Sequence, residues 1–70
     1  MAKVFEYLTV EWLWDSSSLR ITHPHQPEKS IQGSYQEVVN LLTSLGKEGW
    51  EVCACVANSN WLFWTLKKEN

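Results

Sequence analysis

The chain has 70 residues, 44% of them hydrophobic and 13% aromatic, and its formal net charge is −2. This length predicts one domain over residues 1–70, and the composition is too apolar for a disordered chain. The charge argues against a nucleic-acid-binding protein, which would carry a basic patch. No apolar run approaches the roughly 20 residues of a membrane helix, and the first residues do not resemble a signal peptide. We therefore expect a cytoplasmic protein without membrane contact.

The N-terminal part of the chain predicts one strand and a long loop. Residues 3–14 are rich in β-branched and aromatic side chains, which suit a pleated surface and predict a strand. Asp15 and the three serines after it predict a turn, because such side chains bond to the local backbone. Residues 19–22 alternate apolar and polar and are compatible with a short extra strand. Two prolines and a glycine follow, so we expect a long loop over about 15–33.

One helix is predicted over about Tyr35–Lys47. Ser34 is a favourable N-cap, and Glu37, three residues later, completes a capping box. Apolar residues with helical spacing form one stripe along this segment: Val38, Leu41, Leu42 and Leu45. Gly46 and Gly49 are both candidates for the left-handed residue that ends a helix.

The hydrophobic period changes to two after the helix. Residues 50–57 and 61–67 predict two strands, joined by a short loop over 58–60. The predicted fold is therefore α+β, with a three-stranded antiparallel sheet and one helix packed on one face. Residues 19–22 are also compatible with a short fourth strand. The predicted order of elements is strand, loop, helix, strand, strand.

The predicted sheet is apolar on both faces, although one helix covers only one of them. The last strand places two sets on opposite faces: Leu62, Trp64 and Leu66, against Trp61, Phe63 and Thr65. The strand before it is expected to place four residues on one face: Trp50, Val52, Ala54 and Val56. An uncovered face of this kind exceeds the apolar patches that monomers tolerate. We expect another copy, a different protein or a ligand to cover it; the alternative is that the long loop folds over it.

These features favour a non-enzymatic protein-interaction module that self-associates through an aromatic sheet face. A homo-oligomer would also stabilise a domain that, at this length, buries only about 60% of its unfolded surface. The candidate contact residues are Trp12, Trp14, Trp61 and Phe63. One alternative is a small-molecule or peptide-binding domain that uses the same surface. The other is a small enzyme with an intersubunit site, which would need titratable groups near Glu6, Glu51 or the two histidines.

No catalytic, metal-binding or cofactor-binding residue is assigned, and no cofactor is expected. Cys53 and Cys55 lie two apart on a predicted strand, so their Cα atoms are expected about 6.5–7 Å apart, at the limit of disulfide geometry. With His23 and His25 they supply zinc-ligand types, but the spacing does not match a zinc knuckle. We expect both cysteines to be free and buried as small hydrophobes. Whether the four residues ever share a metal stays open.

Three segments share a pattern with known proteins: Phe5-Glu6-Tyr7, Leu42-Thr43-Ser44-Leu45-Gly46-Lys47-Glu48-Gly49-Trp50-Glu51-Val52 and Phe63-Trp64-Thr65-Leu66-Lys67-Lys68. Together they resemble the domain of unknown function 4177 family, small bacterial proteins with a Leu-Gly-x-Glu-Gly-Trp-Glu centre. The resemblance implies a compact strand–helix–strand–strand domain. It indicates no activity and no catalytic residues. Physically, Gly49 is expected to reverse the chain after the helix and Trp50 to seal the core.

Overall fold

The structure, a computed structural model, describes residues 4–69. The elements in chain order are β1 Phe5–Leu13, β2 Ser18–Thr22, β3 Lys29–Gln32, α1 Tyr35–Lys47, β4 Glu51–Asn58 and β5 Trp61–Glu69. The strands of this described part form a five-stranded antiparallel sheet with the order β3-β2-β1-β5-β4. The α+β class with one helix is as predicted, whereas the strand count and the element order differ. The predicted start of the first strand at residue 3 lies outside the described residues.

The segment 15–33 is not the predicted long loop, because it contains both β2 and β3. β2 pairs with β1 so that Leu19 lies opposite Trp12, and Leu19 is buried under the helix. Every residue of β3 is exposed, and Ile31 is its only apolar side chain. Its strand conformation depends on pairing with β2, where Ile31 lies opposite Leu19. A short polar segment that forms a strand only by pairing with another strand has no periodic pattern of apolar residues in its sequence.

The hydrophobic core lies between α1 and one face of the sheet. Even-numbered residues of β1 point to this side, because successive strand residues alternate between faces. Leu41 and Leu42 are partly buried beside the core. The buried residues of the described chain are Leu8, Val10, Trp12, Leu19, Val38, Leu45, Trp50, Trp64 and Leu66. The helix therefore closes one side of the sheet.

The bounds of α1 agree with its sequence signals. Ser34 occupies the N-cap position with an extended backbone, but its side chain makes no capping hydrogen bond within the described chain. The capping box is therefore wrong in its hydrogen bonds, because the Glu37 side chain packs against Gly33. A β-carbon at Gly33 would lie 2.8 Å from Glu37 Cγ. Within residues 4–69, no helix has the length and apolar character needed to cross a membrane.

The helix ends in a Schellman motif. The Trp50 N–H donates to the Leu45 carbonyl at 3.0 Å, and the Gly49 N–H donates to the Gly46 carbonyl at 3.1 Å. Gly49 has a φ of +100°, a conformation that glycine adopts at little cost. Leu45 and Trp50, which flank the turn, are both buried. The turn thus delivers Trp50 into the core immediately before β4 begins.

Alanine at the two glycines of this turn is expected to change stability in opposite directions. Gly49→Ala should lower the free energy of unfolding by about 1–2 kcal/mol, because alanine is strained at positive φ even though its Cβ has room. Gly46→Ala is the matched control. Its Cβ would meet no neighbouring group within 4 Å in the described structure, so alanine should stabilise the helix by about 0.5–1 kcal/mol. Urea unfolding measures both values; a Gly49→Ala protein as stable as wild type would contradict the left-handed turn.

Candidate functional site

Within residues 4–69, one face of the sheet has no covering element, and we call it the open face. Directly paired residues share a face, so the register of β1 with β5 places the odd-numbered residues of both strands there. The helix packs on the other face, and so does the connection after β2, where His25 contacts Glu6. The large apolar residues that the described strands place on the open face are Phe5, Tyr7, Leu13, Val56, Trp61 and Phe63.

Trp61 and Phe63 form an aromatic pair on the open face, near the end of the sheet where Trp61 lies opposite Leu13 and Asn58. Their ring centroids are 5.4 Å apart, with 30° between the ring planes. The Trp61 Nε1–H donates to Glu11 Oε2 at 3.0 Å, so the indole and the carboxylate satisfy each other. Nearby, the Lys67 ammonium lies 5.0 Å from the Phe5 ring centroid, a cation–π distance. Glu11 and Lys67 thus each contact an aromatic side chain of the same chain. The Trp61 and Phe63 side chains stay partly exposed, so a partner can contact their rings.

The four predicted contact residues lie on opposite sides of the sheet. Trp61 and Phe63 are on the open face, whereas Trp12 and Trp14 continue the even-numbered alternation to the helix side. Trp12 is only 6% exposed, and its ring packs edge-on against Tyr35 with 5.3 Å between centroids. Trp14 is 54% exposed, and its ring is tilted against the Trp12 ring by 47° with 5.2 Å between centroids. Trp12 is therefore a core residue and is not accessible as a contact residue.

The predicted contact set omits four large apolar residues of the open face: Phe5, Tyr7, Leu13 and Val56. Strict alternation along β1 predicts a common face for the first three, because all of them are odd-numbered residues of the same strand. Alternation fails for Val56, since β4 carries a bulge between Val52 and Ala54. One extra residue exchanges the two faces beyond it. Val52 consequently lies on the helix side and Val56 on the open side, so their predicted common face is wrong.

β4 is an edge strand, and all eight of its residues are exposed. A helix about 10 Å across spans two or three strands spaced about 4.8 Å apart, so β4 stays beyond the cover of α1. Both cysteines are exposed, and the prediction that they are buried is therefore wrong. Cys53 occupies the bulge, and its Sγ–H donates to the Thr65 carbonyl at 3.4 Å.

Three of the predicted titratable side chains, Glu6, His23 and His25, lie together, with His23 against Trp50. His25 Nε2 contacts the Glu6 carboxylate, and the His25 backbone N–H donates to His23 Nδ1 at 3.1 Å. The His23 ring meets the Trp50 ring edge-on at 5.7 Å. Glu51 lies elsewhere, opposite Lys67 on the open face. Within residues 4–69, no three His, Cys, Asp or Glu side chains are grouped to hold a metal ion.

A shallow groove runs along α1 on the side of β2 and β3. It consists of two cavities of about 210 Å³ each, which share Leu41. Leu19 and Ile31 line the first, and Ile21 and Leu45 line the second. Each cavity is smaller than the roughly 300–1,000 Å³ typical of small-molecule sites. The groove is therefore a weaker candidate for ligand binding than the open face is for a protein contact.

No protein-family model, no curated protein and no solved structure matches this chain. The resemblance to the domain of unknown function 4177 family accordingly stays a prediction.

Proposed function

We propose that this chain is a non-enzymatic protein-interaction module that self-associates through the open face. The observation that carries the proposal is the number of aromatic and aliphatic side chains on the side of the sheet away from α1. Tyr7 and Val56 on that face are 56% and 53% exposed, and Val56 lies directly opposite Phe63, whose ring centroid is 5.4 Å from that of Trp61. Surfaces with contiguous aromatic side chains are characteristic of protein interfaces.

A second copy is the occupant that the charges favour. Glu11 is bonded to Trp61, and Lys67 lies over Phe5 and opposite Glu51. The described strands place two basic and three acidic side chains on the open face: Arg20, Lys67, Glu11, Glu51 and Glu69. The excess is one negative charge per copy, so two identical faces meet without a large excess of like charge. A two-fold axis makes such a contact self-complementary. Two sheets packed in this way enclose a core about 10 Å thick.

The family membership and the cytoplasmic location also remain proposals. The Schellman motif supports the first, because it gives a physical reason for the spacing of Leu45, Gly49 and Trp50. Leucine and tryptophan bury the two sides of the turn, and glycine supplies the positive φ between them. A sequence family with this centre would share the turn and the core position of the tryptophan.

Tyr7→Glu is expected to reduce the native mass while the fold stays intact. Tyr7 lies opposite Lys67, so glutamate finds an opposite charge within the chain but places a carboxylate in the interface. Val39→Glu is the matched control, because Val39 is a similarly exposed apolar residue on the helix. Size exclusion with light scattering should show wild type and Val39→Glu as dimers or larger. Tyr7→Glu should have about half that mass.

A wild-type protein that stays monomeric at high concentration would overturn the proposal. In that case a small-molecule or peptide ligand becomes the candidate occupant of the same rings. Quenching of tryptophan fluorescence would then be the assay, since Trp61 lies on the open face beside Phe63. A Tyr7→Glu protein with unchanged mass would also count against this face as the contact.

A further inference from the structure

The two edges of the sheet differ in how well they are protected against pairing. The β3 edge is only four residues long, begins with Lys29 and closely follows Pro27. Short length, lysine and proline are the features by which proteins block edge-to-edge contact. The β4 edge has eight exposed residues and contains neither lysine, arginine nor proline. Its single charged residue is Glu51, at the very start.

We propose that β4 pairs with β4 of a second copy, so that the two five-stranded sheets become one continuous sheet. An unprotected edge offers a row of unpaired backbone N–H and C=O groups, and a strand from another chain satisfies them. This inference goes beyond the proposed function, because it uses the edge of the sheet and not the open face.

The charges of β4 favour an antiparallel contact between identical copies. A two-fold axis perpendicular to the sheet reverses the strand direction and keeps both helices on the same side. Glu51 then lies near the uncharged end of the partner strand, at Asn58, and the two glutamates are far apart. A parallel contact would bring the two glutamates together, and like charges placed directly opposite are destabilising.

The bulge limits the part of β4 that can pair regularly. It lies between Val52 and Ala54, so the uninterrupted segment is Ala54–Asn58. A two-fold axis places the residue at the axis opposite its own copy. Cys55 lies near the middle of β4, and Val56 is the middle residue of the regular segment. Both are exposed, so we place the axis at one of these two residues.

The test is disulfide trapping with single cysteines on a Cys53→Ser/Cys55→Ser background. The series consists of native Cys55 with Cys53→Ser alone, and of Ala54→Cys, Val56→Cys and Ala57→Cys. Diamide is the oxidant; it accepts the two electrons and two protons that leave a pair of thiols as the S–S bond forms. The matched control is Ile31→Cys, at an exposed position on the other edge strand.

We expect one sharp maximum of covalent dimer, at position 55 or 56. Pairing makes the reaction effectively intramolecular, so the rate there should exceed that of Ile31→Cys by about tenfold or more. The maximum should persist in the Tyr7→Glu protein and should disappear in denaturant. A flat series, or a control that reacts as fast as the best position, would overturn the inference.

Ala57→Lys provides a second measurement that needs no cysteine. Ala57 is exposed on the helix side of β4. A lysine there should block pairing of the edge strand and leave the open face unchanged. We expect Ala57→Lys to lower the native mass and the neutral control Ala57→Thr to retain it. If only Tyr7→Glu lowers the mass, the edge contact is overturned and the proposed function stands. If only Ala57→Lys does so, the edge contact stands and the proposed function is overturned.

Discussion

Trp50→Ala is expected to cost about 3–5 kcal/mol of folding free energy, as truncation of a large buried aromatic does. Trp50 is 6% exposed, and its ring is contacted by the edge of His23 and by the Lys68 ammonium, 5.6 Å from the ring centroid. At about 0.05–0.15 kcal/mol per residue, a chain of this size has only about 4–10 kcal/mol of stability in total. The variant should therefore be close to unfolding at room temperature.

Thermal unfolding followed by circular dichroism measures this effect. The melting temperature should fall by more than about 12 °C, since 1 kcal/mol corresponds to about 4–8 °C in a domain of this size. Trp50→Phe is the conservative control, because phenylalanine keeps most of the buried ring and should lose much less stability. A Trp50→Ala protein that melts within a degree or two of wild type would refute the core role of this residue.

Trp12→Ala is expected to have a similar effect, about 3–5 kcal/mol, for the same reason. Trp12 is 6% exposed, and its Nε1–H donates to the Gly33 carbonyl at 3.4 Å. This bond ties β1 to the residue that precedes the N-cap of α1, while the ring packs edge-on against Tyr35. Alanine would leave a cavity between the sheet and the start of the helix.

Trp14→Ala is the matched control for this position. Trp14 is 54% exposed, so its removal should cost far less, within about 1 kcal/mol. Urea unfolding of the two variants separates the roles, and native mass should be unchanged in Trp14→Ala if the open face is the contact. Equal destabilisation by the two substitutions, or a loss of association in Trp14→Ala alone, would contradict the assignment of these residues to the helix side.

The two proposed contacts lie on different surfaces of the molecule and are geometrically compatible. Pairing through β4 leaves the open faces of both copies on the same side of one extended sheet, since the two-fold axis is perpendicular to it. Such a sheet presents twice the apolar surface for a face-to-face contact. A protein that uses both contacts would assemble from pairs, and each single variant would leave the other pairing intact.

Local signals were sufficient for the elements that depend on neighbouring residues. The span of α1 follows from an apolar stripe with helical spacing and from a glycine with positive φ just beyond its end. β5 likewise alternates without interruption, so its two faces could be predicted from the sequence. β3 could not be predicted, because its strand conformation comes from pairing with β2 and its own side chains are almost all polar.

The sequence by itself determined the α+β class, the helix and its terminal turn, and the excess of apolar side chains over what one helix covers. Each of these depends on spacing along the chain, which backbone geometry converts directly into faces and turns. Only the tertiary structure decided which tryptophans are buried and which residues form the open face. Pairing sets strand order and register, and a single bulged residue reverses the faces of β4 beyond Cys53. The exposure of the β4 edge likewise follows from strand order, because a helix of fixed width covers the middle of the sheet and leaves its edge exposed.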